Sequence, residues 1–267
     1  MNSKEIKKYI NKLPEIYQPI YNFEELSDKT SRNCLDRLEK IINVYDALKE
    51  KEKRDLRVLD LGSSQGFFSF KLAERGAYVT GLDTVKENIE ICNYISSQNS
   101  DLKVNFLFED FHQFIRSNQN LHFDIILGLS VFHHTAHSKG LDFSKEFIKE
   151  LQDFTNILIS ELALKEEGLY WAESLPDNPQ EFVSSFKFNK ILSFHNTHLS
   201  SIRRPLVFSS QKFIYLNDKL FDFDKYSNKP IYRSFPDAVD SCRAYYFSNE
   251  YFFKYYFFNS ENKYFNQ

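Results

Sequence analysis

Cysteine is scarce in this sequence, and its spacing excludes one common use of the residue. Only three cysteines occur in 267 residues, and Cys34, Cys92 and Cys242 lie far apart with no C-x-x-C pair among them. An odd number of widely spaced cysteines does not indicate a disulfide framework. We therefore expect a reducing, cytoplasmic compartment.

The sequence also lacks a strong excess of one charge and any long apolar segment. The net charge is -3 and the pI is about 6.2, so no domain-wide positive field is available to attract nucleic acid or an anionic membrane. The charged N-terminus leads into no apolar segment of signal-peptide length, and the aromatic run at 251–258 is too short to span a bilayer. We expect no nucleic-acid partner, no secretion signal and no transmembrane segment, and contact with the inner membrane only through partners.

What the sequence does contain is an alternation of strand and helix patterns. Strands are expected near 57–61, 78–82, 103–108, 123–128 and 156–161, and helices at about 66–75, 86–97, 110–117 and 143–153. A further helix is expected at 179–186, and β-rich segments near 190–198, 205–210 and 212–216 would supply antiparallel strands that close the sheet. The alternation predicts an α/β fold whose ligands bind at the carboxyl ends of parallel strands.

The first strand and its neighbour carry the features of a nucleotide-binding half-site. Gly62 and Gly66 follow the strand at 57–61, where they allow a sharp turn and a close approach to a ligand, and Asp83 ends the next strand, where it would accept hydrogen bonds from ribose hydroxyls. The half-site suits a dinucleotide or S-adenosylmethionine. Ser64 replaces a glycine of the turn and Asp60 precedes it; a carboxylate there would repel a pyrophosphate but face the positive amino-acid end of S-adenosylmethionine.

The next two strands complete a pattern that resembles the class I S-adenosylmethionine-dependent methyltransferases. The third strand ends at Glu109-Asp110-Phe111, which we expect around adenine, and the fourth passes Gly128 into a polar loop containing His133 and His134. Taken one at a time, these features have ordinary structural explanations. The glycines could form a common strand-to-helix turn, Asp83 could be a helix N-cap, and Glu109-Asp110 could be a solvated turn. The resemblance implies a Rossmann-like, seven-stranded, mainly parallel sheet with helices on both faces, and S-adenosyl-L-methionine as the cofactor.

Segments outside this core resemble a narrower family. Residues 30–37, 161–171, 174–177 and 196–205 are similar to the methyltransferase part of the WbdD family of bifunctional kinase–methyltransferases, a resemblance that covers about residues 14–216. It implies capping of a terminal mannose of an O-antigen polymannan, by phosphorylation and then methylation of the phosphate, which stops chain extension. It also implies that Tyr17, Gln18 and Arg37 close over the methionine part of the cofactor; the alternative for Arg37 is a solvated ion pair on a polar helix face.

The resemblance and the composition divide the chain into three parts. We expect an N-terminal helical cap at 1–50, the methyltransferase domain at 51–216, and at 217–267 a linker followed by a β-hairpin that resembles the start of a kinase N-lobe. In the cap, a buried face is expected to hold Leu35, Leu38, Ile41, Ile42 and Val44, with Asp36, Arg37, Glu39 and Lys40 outside. No H-R-D-x-x-x-x-N loop or D-F-G occurs, so we expect no phosphoryl transfer by this polypeptide and a separate kinase as one partner.

The acceptor decides which residues carry the chemistry. A sugar hydroxyl needs a general base, for which His133, His134 and His198 are candidates. A phosphomonoester is already anionic and needs cations, for which Arg203, Arg204 and Lys165 are candidates. No carboxylate or cysteine near the histidines completes a metal site, so we expect no metal. The predicted function is an O-methyltransferase acting on a glycan or phosphoglycan, with a glycosyltransferase complex as a further candidate partner; the alternatives are a tRNA or metabolite methyltransferase and a non-catalytic cofactor-binding module.

Overall fold

The fold is built on one central sheet, seen in a computed structural model that describes residues 3–23, 30–226, 230–232 and 244–246. The sheet has seven strands in the order β3-β2-β1-β4-β5-β7-β6. They are β1 (Arg57–Leu61), β2 (Tyr78–Asp83), β3 (Val104–Phe108), β4 (Phe123–Leu129), β5 (Thr155–Glu161), β6 (Phe188–His195) and β7 (Arg204–Ser210). All run parallel except β7, which is antiparallel to both of its neighbours.

Helices cover both faces of the sheet because successive strand residues point to opposite sides. Val58 packs in one apolar cluster and Leu59 in another, as the two-residue period of a strand requires. The helices are α1 (Ser3–Ile10), α2 (Leu35–Glu52), α3 (Phe67–Ala73), α4 (Lys86–Ser97), α5 (Phe111–Ser117), α6 (Phe132–Lys139) and α7 (Leu141–Glu150). Side chains of α2 and α3 pack on the Val58 side, and those of α5, α6 and α7 on the Leu59 side. The predicted fold class is confirmed.

Three elements differ from the sequence-based expectation: one after the fourth strand, one before the sixth and one after the seventh. The helix predicted at 179–186 is a short 3₁₀ helix, Pro179–Phe182. The polar loop predicted at His133 and His134 is the helix α6, whose buried Phe132, Thr135 and Ala136 have helical spacing that the polar composition hid. The predicted strand at 212–216 is β8 (Phe213–Leu216), but it pairs with β9 (Lys219–Asp222) in a separate two-stranded sheet and does not join the main sheet.

The first turn of α2 is oriented differently from the prediction. Leu35, expected in the buried face, is 61% exposed, whereas Arg37, expected outside, is 1% exposed. The reason is electrostatic: the Arg37 guanidinium lies 3.3 Å from the buried carboxylate of Glu161, which needs a cation. The remaining predicted core residues Leu38, Ile41 and Val44 are buried, and Ile42 is partly buried.

The C-terminal part contains more regular structure than a linker. The predicted boundary at residue 216 falls in the turn between β8 and β9, where Asn217 and Asp218 both have positive φ, and the short helix α8 (Phe223–Tyr226) follows. Beyond it, β10 (Pro230–Tyr232) pairs antiparallel with β11 (Ala244–Tyr246). The second strand of the predicted hairpin, at 251–258, lies outside the described residues, and the three-part division stays a prediction. Within the part of the chain that the structure describes, no helix is long and apolar enough to cross a membrane.

Gly128 provides a test of how tightly the sheet packs on α6. A Cβ added at Gly128 would lie 2.6 Å from two ring carbons of Phe132. We expect Gly128→Ala to lower the free energy of unfolding by about 1–3 kcal/mol in urea titrations, because this packing leaves no room for a methyl group. The cost should shrink in a Phe132→Leu background, which removes the ring. An equal cost in both backgrounds would contradict this explanation.

Candidate active site

The site is a cavity of about 650 Å³ above the carboxyl ends of the parallel strands. Its wall is formed by the N-terminal segment, the turn after β1, the ends of β2, β3 and β4, one side of α6, and the loops after β5 and β6. This is the edge of an open α/β sheet where ligands bind. The fold therefore brings together residues that are far apart in the sequence, from Pro14 to Arg204.

The turn after β1 is wound tightly against the end of β2. Gly62, Ser64 and Gly66 all have positive φ, which a glycine adopts at no steric cost and a serine only with strain. The Asp83 carboxylate stabilises the turn by accepting a hydrogen bond from the Ser64 backbone N at 2.8 Å. A Cβ on Gly66 would also lie 2.9 Å from the Phe106 ring, so this position is restricted by packing as well as by φ.

Asp83 also begins the next helix at the edge of the cavity. Its Oδ1 accepts hydrogen bonds from the backbone N of Val85 at 2.7 Å and from Asn88 Nδ2 at 3.3 Å, and its Oδ2 accepts the one from Ser64. Burial raises the pKa of Asp83 above its ordinary value, although these donors oppose the shift. Asp83 lines the cavity, where its carboxylate is an acceptor that a ligand hydroxyl could approach.

The N-terminal segment is attached to the region of the glycine turn through two glutamine side chains. The Gln65 Oε1 accepts hydrogen bonds from the backbone N of Tyr17 at 3.1 Å and of Gln18 at 2.9 Å, and the Gln18 Oε1 in turn accepts one from the Phe67 backbone N. Tyr17 lines the cavity, whereas Gln18 is buried behind it. Gln18 thus positions the segment that covers the cavity.

Glu109, Asp110 and Phe111 line the cavity at the end of β3. Asp110 is the N-cap of α5 and accepts from the backbone N of His112 at 2.9 Å and of Gln113 at 3.0 Å. Burial alone would raise the pKa of Asp110, but these donors and the nearby His112 and Lys139 lower it below its ordinary value. A fixed, ionised acceptor at this place suits the amino group of a nucleobase.

A buried carboxylate at the end of β5 holds the opposite wall together. Glu161 forms a two-point ion pair with Arg32, at 2.7 and 2.9 Å, and a third contact with Arg37 at 3.3 Å. Burial would raise the pKa of Glu161, but the two arginines and Ser130 lower it to about 2. Arg32 also donates to the Tyr17 hydroxyl and to the Asn196 carbonyl oxygen. It therefore connects the segment at 14–18, which we call the covering segment, to the loop after β6.

A second buried ion pair lies beside the first. Arg204 donates through Nε and Nη2 to the carboxylate of Glu167, at 2.8 and 2.7 Å. Its guanidinium carbon lies 5.6 Å from the centre of the Trp171 ring, within reach of a cation–π interaction. In the part of the chain that the structure describes, Arg32, Arg37 and Arg204 form ion pairs with Glu161 and Glu167, so these five buried groups carry one more positive charge than negative.

The three candidate histidines all line the cavity. Burial lowers the pKa of His133 well below its ordinary value, and the nearby positive charge of Arg204 adds to the effect. Partial burial and Arg204 lower the pKa of His134, whose Nδ1 lies 3.3 Å from the Tyr170 hydroxyl. Partial burial also lowers the pKa of His198, which stands 3.7 Å from Glu15. All three are therefore neutral near pH 7.

Several residues predicted for the site lie outside the cavity wall. Asp60 is buried below the turn, where it accepts a hydrogen bond from Ser69, and Gly128 makes room for the Phe132 ring. Arg37 reaches Glu161 from behind Arg32, and Arg203 is exposed over the Phe194 ring. Lys165 pairs with Asp177. The predicted cofactor and acceptor roles of these residues stay predictions, without cavity contact to support them.

Sequence reasoning missed the residues that hold the wall. They are Arg32, Gln65, Asn88, Ser130, Glu161, Glu167 and Trp171. One signal was available: Glu161 ends the strand at 155–161, whose centre is the apolar run Ile157–Ile159, and an acid buried there without a cation would be costly. Arg32 stood five residues from the predicted Arg37, and nothing in the spacing distinguishes which arginine reaches the cavity.

Comparison with known proteins agrees with this geometry. The model of a methyltransferase-domain family matches residues 52–215, more than half of the chain. The chain belongs to this family. It is 37% identical to the O-antigen chain terminator bifunctional methyltransferase/kinase WbdD of Escherichia coli, over 96% of this chain and 36% of that protein. It is 26% identical to a ubiquinone biosynthesis O-methyltransferase of Pelagibacter ubique, over 68% of this chain and 69% of that protein.

Solved structures show the same likeness. A crystal structure of WbdD superposes with a TM-score of 0.79 at 38% identity, covering 84% of this chain and 51% of that chain. The N-terminal domain of EvdMO1 shares the fold at 14% identity, with a TM-score of 0.53. The present chain spans about a third of the length of the curated WbdD relatives it matches. The alignment with them extends over 257 residues, further than the predicted resemblance at 14–216.

The protein is an S-adenosylmethionine-dependent methyltransferase, and its cavity fits that cofactor. If the cofactor lies as the resemblance implies, Asp83 would accept from a ribose hydroxyl, Glu109 and Asp110 would accept from the adenine amino group, and the glycine turn would allow close approach of the backbone. Arg32 and the segment at 14–18 cover the remaining side of the cavity. When bound, the cofactor supplies an electrophilic methyl group, and the residues of the chain have to orient an acceptor and exclude water.

We expect Asp83→Ala to weaken the binding of S-adenosylhomocysteine about tenfold or more in calorimetry, because a buried acceptor for the ribose is lost. The variant also loses hydrogen bonds within the protein, so a control is needed. Asp124→Ala is the control, because Asp124 is also buried and accepts hydrogen bonds from Arg54 and the Arg57 backbone N but does not line the cavity. Equal affinity losses in both variants would mean that Asp83 acts only through the fold.

Asp60 should make stability depend on pH in an unusual direction. Burial raises its pKa to about 7, so the folded protein holds a proton that the unfolded chain releases above about pH 4. The free energy of unfolding therefore falls as the pH rises through this window. Relative to the wild type, Asp60→Asn should gain on the order of 2–4 kcal/mol between pH 4 and pH 8 in urea titrations. Parallel pH curves for the two proteins would contradict the raised pKa.

Proposed function

We propose that the protein is an O-methyltransferase that caps the non-reducing end of a bacterial surface polysaccharide by methylating a terminal phosphate. The observation that carries the proposal is the buried cluster of three arginines and two glutamates, which has one excess positive charge as a whole and of which Arg32 and Arg204 line the cavity. A buried excess of positive charge favours an anionic ligand, because its own burial is otherwise costly. A phosphomonoester is such a ligand.

The mouth of the cavity supports a glycan as the carrier of that phosphate. Tyr170 lines the cavity yet is 65% exposed, and its ring is held edge-on against Trp171 and His137. A rigid exposed aromatic ring offers an apolar surface on which the C–H face of a sugar can pack. The name of the WbdD relative, an O-antigen chain terminator, agrees with a polysaccharide acceptor, and its bifunctional name agrees with a kinase activity supplied by another domain or protein.

A sugar hydroxyl is the second candidate acceptor, and the state of the histidines favours it. His134 is neutral near pH 7 and lines the cavity, so it can take the proton that a hydroxyl must lose. A phosphate needs no such base, because it is ionised already. The two acceptors therefore differ in which residue is required, His134 or Arg204.

The first experiment is methyl transfer to synthetic oligomannosides with and without a terminal phosphate, followed by mass spectrometry. We expect the phosphorylated set alone to gain a methyl group, since the arginine cluster needs an anion. Transfer to the unphosphorylated set would support the hydroxyl acceptor instead, and its rate should then collapse in His134→Gln. Transfer to neither set would contradict a mannan acceptor.

Variants of Arg204 test the phosphate contact itself. The double variant Arg204→Gln with Glu167→Gln removes both charges, so that neither is left buried and unpaired. We expect KM for the phosphorylated acceptor to rise about tenfold or more, while the affinity for S-adenosylhomocysteine is retained. Arg203→Gln is the comparison, because Arg203 does not line the cavity. A larger effect of Arg203→Gln would reverse the assignment within the arginine pair.

A further inference from the structure

Ser130 occupies a strained position at the centre of the arginine cluster. It follows the last residue of β4 and has φ +58°, in the left-handed region that a serine rarely adopts. Its backbone N donates to the Glu161 carbonyl oxygen at 3.2 Å. Such strain persists where the surroundings impose it and is common at functional sites.

The Ser130 hydroxyl uses its whole hydrogen-bonding capacity inside the cluster. It accepts from Arg32 Nη1 at 3.1 Å and from Arg204 Nη1 at 3.2 Å, and it donates to the Glu161 carboxylate. A hydroxyl has one donor and two acceptor positions, so none is left over. We call Arg32–Glu161 the cofactor-side pair, because Arg32 contacts Tyr17 of the covering segment, and Arg204–Glu167 the acceptor-side pair, because Arg204 packs on Trp171.

We propose that Ser130 is a positioning residue that couples the two pairs, so that an anionic acceptor binds more tightly once the cofactor is in place. The inference rests on the proposed function, since it requires an anionic acceptor at Arg204. Ser130 is the residue whose side chain bonds to both arginines, and the two pairs are otherwise held by different glutamates. It thus provides the shared contact through which the position of Arg32 affects that of Arg204.

The physical basis is that one hydroxyl orientation satisfies both sides. Arg32 is held by the Tyr17 hydroxyl and the Asn196 carbonyl oxygen, so a cofactor that packs against the covering segment would restrain Arg32 further. Arg32 and Glu161 then fix the direction of the Ser130 O–H, which leaves one lone pair aimed at Arg204. Arg204 is thereby held for an acceptor with less loss of conformational freedom on binding. Thermodynamic linkage makes the effect reciprocal.

The single tryptophan makes this coupling measurable without turnover. Trp171 is the one tryptophan of the chain and contacts Arg204, so intrinsic fluorescence reports on the acceptor-side pair. The oligomannoside with a terminal phosphate is titrated with and without saturating S-adenosylhomocysteine. In the wild type we expect saturating S-adenosylhomocysteine, the product of the cofactor, to lower the dissociation constant of the phosphorylated oligomannoside about fivefold or more. In Ser130→Ala the two dissociation constants should become equal within error.

Two further variants separate positioning from folding. Ser130→Gly also removes the hydroxyl but relieves the φ strain, so it should lose the coupling at a smaller cost in stability than Ser130→Ala. Ser160→Ala is the matched control, because Ser160 is a fully buried serine next to Glu161 whose hydroxyl has no hydrogen-bond partner. It should retain the wild-type coupling.

The outcomes separate the inference from the proposed function. Equal affinities with and without product in the wild type, or unchanged coupling in both Ser130 variants, would overturn the role of Ser130 while methyl transfer to the phosphorylated acceptor stands. If the phosphorylated oligomannoside neither binds nor is methylated, the proposed function fails and the coupling fails with it. Loss of coupling in Ser160→Ala would show that any buried change disturbs the cluster and would also overturn the inference.

Discussion

The site depends on keeping the Glu161 carboxylate ionised in a place from which water is excluded. A buried carboxylate without a partner would take up a proton or unfold its surroundings. Here Arg32 comes from the N-terminal segment, Arg37 from α2 and the hydroxyl of Ser130 from the end of β4. One charge at the end of β5 thus gathers three separate parts of the chain around the cavity. Arg37 was expected on the exposed face of α2 but is buried, because the Glu161 carboxylate needs a positive charge beside it.

A second buried carboxylate, that of Asp83, holds together the wall of the cavity at the end of β2. Asp83 fixes the glycine turn through Ser64 and begins α4 through Val85, so the cofactor wall is stabilised by a residue that also lines the cavity. The two acids differ in electrostatic surroundings. Burial raises the pKa of Asp83, while arginines lower that of Glu161 to about 2. The cavity is therefore acidic where a ribose and an adenine amino group are expected, and basic where an anionic acceptor is expected.

The sheet and its strand ends could be predicted from the sequence because they depend on local patterns. The apolar strands at 57–61 and 123–128, the glycines of the first turn and the acid at Asp83 each carry their signal within a few residues. The arginine cluster could not be predicted in this way. Whether Arg32 or Arg37 reaches the cavity depends on where α2 meets β5, a contact between residues more than a hundred positions apart. The α6 helix was missed for a different reason, since its histidines suggested a loop while Phe132 and Ala136 pack on the sheet.

The arrangement also explains why neutral histidines and a positively charged wall occur in the same cavity. Arg204 and burial together disfavour a second positive charge on His133, so the excess charge of the cluster stays on the arginines. Arginines cannot act as bases near neutral pH, and His134 can. In the proposed function, the arginines would select an acceptor by its charge without deprotonating it, whereas a hydroxyl acceptor would leave that charge without a partner. The cost of an unpaired buried charge is the physical reason to favour a phosphate over a hydroxyl as the group that receives the methyl.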